Sequence, residues 1–179
     1  LRAVEKILQE KITEGVDAIV VAGDIAPEPF TIFMRRITLQ KFGLLQAEDI
    51  DSIKFNDLKT RNMQLKSTEK IIQSFLTLDK PLLNLFGNED LPSVADYLEV
   101  MSKNEKRIVP LHNRKVQFED YKIVGFGGAS TKHQIHNQKF HLYSEDEVFQ
   151  GICNLLTDEK PMNTILVTHG SPADVILGD

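Results

Sequence analysis

Apolar positions along the chain change period several times, and each change predicts an element. Leu1, Val4, Ile7, Leu8 and Ile12 share one helical face, and Gly15 would close that helix. Ala18-Ile19-Val20-Val21-Ala22 is a β-branched run without polar alternation, so a strand buried on both faces is expected, ending at Gly23-Asp24. Phe33, Ile37 and Leu44 predict a helix from Phe30 to about Leu45. From Gln46 to Lys66 the chain is irregular and carries both signs of charge. It reads as a solvated insertion with room for a helical turn of its own. A further helix is expected to open at Ser67 or Thr68 and run through Leu76.

Pro81 to Phe86 is the next strand, ending in Gly87 and the polar cluster Asn88-Glu89-Asp90. Pro92 stands where a helix can begin, with Val94, Tyr97, Leu98 and Met101 at helical spacing. Short β-like pieces follow at Ile108-Val109, Val116 to Phe118 and Tyr121 to Val124. Glu119-Asp120 separates the last two and suggests a hairpin. Ser144 with Glu147 three positions later is a capping-box pattern for a helix through Leu156. Thr164 to Thr168 is a final strand, and His169-Gly170 follows it directly. The alternation of strands and helices predicts an α/β fold, read as a single domain over residues 1–179 with the insertion at about 46–66. There is no internal repeat.

Of the 179 residues, 41% are hydrophobic and 26% charged, an ordinary globular composition. The net charge of −5 gives no support to a nucleic-acid or anionic-membrane binder, whose footprint is usually basic. No apolar run approaches the roughly 18 residues of a spanning helix. Cys153, the single cysteine, excludes an intrachain disulfide and a cysteine-based zinc site. It fits a reducing compartment, and a cytoplasmic location is expected. On the apolar face of Phe149, Ile152 and Leu156, Cys153 reads as a buried small hydrophobe.

Three strands end in a glycine turn with a metal-capable side chain beside it: Asp24, Asn88 and His169. A strand fixes the Cα, the glycine lets the backbone turn away, and chemistry in α/β folds collects at such strand ends. A carboxylate, an amide oxygen and an imidazole together suit a borderline or hard divalent ion. The other candidates read more plainly. His133, His136 and His141 belong to a Gln-, Asn- and Lys-rich stretch expected to be a solvated loop. His112 reads as a turn residue. Gly125 to Gly128 lacks the Lys-Ser/Thr of a phosphate loop and reads as a structural turn, which removes a nucleotide-binding domain from consideration.

Gly23-Asp24, Gly87-Asn88-Glu89-Asp90 and Val167-Thr168-His169-Gly170, in this order and each after a hydrophobic strand, resemble the second, third and fourth motifs of the calcineurin-like metallophosphoesterases. The Tyr121–Gly128 segment is similar to one found between the third and fourth motifs in small prokaryotic members. The resemblance implies two facing β-sheets flanked by helices, an αββα sandwich, with a two-metal site at one edge. It implies hydrolysis of a phosphoester by a metal-activated hydroxide; Glu89 in place of the family's usual His points to a diester more than to a monoester. The cofactors implied are two divalent transition-metal ions, Mn, Fe or Zn. Asp24 resembles the carboxylate bridging the two ions; Asn88 and His169 resemble ligands of the second.

The family's opening Asp-x-His would precede Leu1 and its closing Gly-His-x-His would follow Asp179, so the fold and site are expected to be incomplete at the termini. Glu89 also stands where the family usually has His. The expected catalytic roles fall to Glu89 and Asp90, orienting water or substrate. The alternative is a non-catalytic scaffold that keeps the fold and binds a protein partner or a second copy.

Overall fold

In the computed structural model, residues 6, 15–26, 58–130 and 142–170 are described. Among them, three helices and two three-stranded sheets form a mixed α/β architecture, with a two-stranded pair between Ala129–Ser130 (β6) and Leu142–Tyr143 (β7). The first sheet is parallel and runs in the order β1 (Ile19–Ala22), β2 (Leu82–Leu85), β3 (Ile108–Pro110). The second has β5 (Tyr121–Phe126) at its centre, antiparallel to β4 (Arg114–Phe118) and parallel to β8 (Thr164–Thr168). The β4–β5 hairpin turns at Glu119, whose φ of 50° supplies the left-handed step that such a turn requires.

The strand placement agrees with the hydrophobic runs, but β1 is not buried on both faces. Its exposure alternates, and Val20 is 45% exposed. Among the described residues β1 stands at the end of its sheet and pairs only with β2, so described neighbours crowd it from one side. β2 occupies the middle and is buried at all four positions.

Helix α1 (Leu58–Leu76) starts inside the stretch expected to be a solvated insertion and nine residues before the expected N-cap. Thr60, Gln64 and Thr68 continue at four-residue spacing the stripe formed by Ile71, Ile72 and Phe75, and all six are buried. A reading based on apolar residues alone stops where this stripe turns polar. Helix α2 (Pro92–Asn104) begins at its proline as expected. Helix α3 (Glu145–Leu156) carries the full capping box: Glu147 N donates to Ser144 Oγ at 3.2 Å, and Ser144 N donates to Glu147 Oε2 at 2.9 Å.

Three hydrophobic clusters hold these elements. Ile71, Ile72 and Phe75 of α1 and Val94 and Leu98 of α2 pack on Leu82 and Ile108 of the first sheet. Leu83 and Leu85 of β2 join Leu111 and Ile123, with Val116, Phe118 and Val167 against them, so the two sheets share one apolar layer. Val124, Phe126 and Leu155 form the third cluster, with Val148, Ile152 and Leu156 of α3 around it. Cys153 is exposed rather than buried. The face that α3 turns to β5 runs through Val148, Ile152 and Leu155, and Phe149, 63% exposed, lies outside it. Cys153 is four residues from Phe149 and shares that outer face. Among the described residues no helix is long and apolar enough to cross a membrane. The expected helices at 1–12 and 30–45, the remainder of the insertion up to residue 57, and His133, His136 and His141 lie outside the described residues.

Candidate metal centre

The three strand ends singled out in the sequence meet. His169 follows β8 directly, and its Nε2 lies 3.1 Å from Asn88 Oδ1, beyond β2, and 3.4 Å from Asp24 Oδ2, beyond β1. Two glycines make this approach possible. A Cβ on Gly23 would overlap the His169 ring and stand 2.8 Å from Gly87 N. A Cβ on Gly87 would overlap the Asp24 carboxylate and stand 2.6 Å from Asp24 N. Gly23 also has φ +100° and Asp24 φ +50°, so the chain leaves β1 through two left-handed residues, the second of a type that tolerates that region.

The polar contacts fix the direction of each group. His169 Nδ1 lies 2.7 Å from the carbonyl oxygen of Ala22. A carbonyl only accepts, so Nδ1 carries the proton and Nε2 is the nitrogen aimed at the site. The Asn88 amide is oriented by its own neighbour: Nδ2 donates to Glu89 Oε1 at 3.2 Å, which turns Oδ1 toward His169. Asp24 Oδ1 accepts from Glu89 N at 2.9 Å, leaving Oδ2 as the oxygen nearest the imidazole. One nitrogen thus faces two oxygens, neither of which can donate. A second proton on the ring or a cation among the three atoms satisfies this arrangement.

The set Nε2, Oδ1 and Oδ2 is one imidazole, one amide and one carboxylate, an N/O combination suited to Mn²⁺, Fe²⁺ or Zn²⁺. The His169 side chain is 15% exposed and that of Asp24 38%, so the cluster is sheltered on one side and open on the other. Among the described residues no group of three or more His, Cys, Asp or Glu gathers in a metal-binding arrangement; the third position here is an amide.

Solved structures share this fold. One matches with a TM-score of 0.64 at 16% identity over 91% of this chain. TT1561 of Thermus thermophilus matches with a TM-score of 0.62 at 13% identity over 92%. The chain spans 60% of the length of each. No family model and no curated protein matches the sequence. Likeness at this identity shows the fold, and the chemistry rests on the side chains themselves.

The two acids after Asn88 face different ways. Glu89 is partly buried beside the cluster and touches Asn88. Asp90 is only 2% exposed and turns inward, where its carboxylate accepts from Gly87 N at 2.8 Å, Ala26 N at 3.0 Å and Ile25 N at 3.4 Å. Burial raises its pKa, and the nearby Asp24 charge adds to the rise; the three amides pull the other way.

Two contributors escaped the sequence reading. Gln64 of α1 donates through Nε2 to Glu89 O at 2.9 Å and accepts from Leu91 N at 3.0 Å, gripping the loop on both sides of Asp90. The spacing Thr60-Gln64-Thr68 leading into Ile72 is the signal that could have found it. His112, read as a turn residue, packs its ring 4.4 Å from Phe86, 5.2 Å from Phe126 and 5.9 Å from Tyr143, centroid to centroid. Its Nδ1 accepts from Gly127 N at 3.1 Å, and burial lowers its pKa to about 4, so it is neutral and structural at pH 7.

Proposed function

We propose that the protein is a metal-dependent phosphoester hydrolase, a calcineurin-like metallophosphoesterase built as an αββα sandwich of two facing sheets. The observation that carries this reading is the meeting of His169 Nε2, Asn88 Oδ1 and Asp24 Oδ2, with the imidazole tautomer set by Ala22 O. The cofactors proposed are two divalent transition-metal ions. His169 and Asn88 would hold one, and Asp24 would lie between them, because a carboxylate has two oxygens and a charge to share. The ions, when bound, supply Lewis acidity that lowers the pKa of water and neutralises phosphate charge.

The chain's own residues orient and hold. Ala22 O fixes the ring of His169, Glu89 Oε1 fixes the Asn88 amide, and Glu89 N fixes the Asp24 carboxylate. Glu89 lies beside the cluster and would orient water or substrate. It replaces the imidazole that could protonate a poor leaving group, which favours diesters with good leaving groups over monoesters. The same Glu89–Asn88 bond supports a second reading, a scaffold that keeps the fold and binds a protein partner, because it ties Glu89 to a structural contact.

Mn²⁺-dependent turnover of an aryl phosphodiester by the intact protein separates the two. The hydrolase reading expects turnover that a chelator removes and that Asp24→Ala abolishes. Wild-type-like turnover in Asp24→Ala removes the mechanism. A preparation with no bound transition metal and no turnover favours the scaffold.

A further inference from the structure

We propose that Asp90 is the positioning residue of this site, the group that sets the spacing between the loop carrying Asp24 and the loop carrying Asn88. The inference deepens the hydrolase reading and rests on it for the identity of the ligands. The Asp90 carboxylate touches neither the imidazole nor the amide oxygen that face the site. It reaches the backbone next to each ligand instead: Ile25 N directly follows Asp24, and Gly87 N directly precedes Asn88. Ala26 N adds a third bond on the β1 side. One side chain therefore bridges residues 65 and 3 positions away in sequence, and the bridge spans the two strand ends whose separation decides whether Asp24 and Asn88 can share a cation.

The residue type fits that task. All three partners are N–H donors, and an ionised carboxylate is acceptor-only, with lone pairs enough for all of them. An amide in its place would turn an NH₂ group toward at least one donor. The side chain is buried, so water cannot substitute for a lost acceptor. Its own backbone is anchored from the far side, since Gln64 grips Glu89 O and Leu91 N. The bridge is thus referred to helix α1, a rigid element, rather than to another loop. Groups that orient ligands from behind in this way typically contribute roughly 10–100-fold to metal affinity.

The test compares the intact wild-type protein with Asp90→Asn, using calorimetric Mn²⁺ titration, aryl-phosphodiester kinetics and amide NMR spectra. Asp90→Asn is expected to bind Mn²⁺ about 10–100-fold more weakly with all three ligands still present. The loss should appear in metal affinity rather than in kcat at saturating Mn²⁺. The amide resonances of Ile25, Ala26 and Gly87 should move even in the metal-free protein. Unchanged Mn²⁺ affinity, or kcat lost with affinity intact, overturns the inference; the latter would make Asp90 a substrate contact. If the wild type takes up no Mn²⁺, the hydrolase reading fails. The bridge is then judged on the metal-free amides alone, and stationary resonances overturn it. Should Asp90→Asn not fold, hydrogen exchange in the wild type decides: Ala26 and Gly87 must be protected together, and rapid exchange of either rejects the bridge.

Discussion

Substituting Gly23 by alanine tests the close approach on which the site depends. Two separate costs arise. The backbone at Gly23 has φ +100°, a region that L side chains rarely enter, and holding alanine there costs roughly 1–3 kcal/mol. The new methyl would also overlap the His169 ring and stand 2.8 Å from Gly87 N, a backbone atom that cannot swing away; overpacking of this kind costs about 1–3 kcal/mol. Alanine recovers roughly 0.4–1 kcal/mol by restricting the unfolded chain. The net loss is about 1–5.6 kcal/mol, set against the roughly 5–15 kcal/mol that holds a domain folded. With a urea m-value near 2 kcal/mol/M, the unfolding midpoint should fall by about 0.5–2.8 M.

Gly15→Ala is the internal control. Gly15 has φ +78° and nothing within 4 Å of an added methyl, so only the backbone cost applies, about 1 kcal/mol net or roughly 0.5 M in urea. Urea unfolding followed by circular dichroism on both variants and the wild type reads the difference. Equal midpoint shifts for Gly23→Ala and Gly15→Ala would refute the crowding argument, because both carry a left-handed backbone and only at Gly23 does the methyl meet other atoms.

Two further outcomes follow from local chemistry. Ser144→Ala removes the side-chain acceptor of the α3 capping box and should cost about 1 kcal/mol, read as a lower melting temperature and faster amide exchange at Glu147; an unchanged exchange rate there would show the box to be idle. His112 has its pKa lowered from 6.5 to about 4 by burial, so its contribution is complete above about pH 6.5, where the ring is neutral folded and unfolded alike. As pH falls toward 4 the unfolded chain takes up the proton first and stability drops. Urea midpoints at pH 7 and pH 4.5 should therefore diverge more in the wild type than in His112→Phe, and an identical divergence would reject the assignment.

The ligand-type residues and the strands that carry them were legible because both signals are local. A hydrophobic run ending in Gly-Asp, Gly-Asn or Thr-His announces a strand end and a candidate ligand within a few residues. The α3 helix was equally plain, since its capping box is complete within four positions. Helix α1 was legible only in its second half. Its first half buries Thr60, Gln64 and Thr68, and polar residues at core positions look like surface until their partners are known. Cys153 failed for the complementary reason: an apolar stripe on a helix does not say which edge of it the neighbouring sheet will cover.

The sequence by itself determined the chemistry available: where the strands of the two larger sheets run, though not the β6–β7 pair, and that an acid, an amide and an imidazole stand at three strand ends. Only the tertiary structure decided that these groups meet, because the distance between β1, β2 and β8 depends on strand order and on contacts across 65 to 147 positions of chain. It also assigned the direction of each atom, through acceptors such as Ala22 O that are backbone and carry no trace in the residue types. The two acids after Asn88 make the point at its smallest scale. They are adjacent and chemically alike, yet Glu89 lies by the site and Asp90 is buried against three amides, since what separates their roles is the position of backbone N–H groups, which every residue but proline possesses.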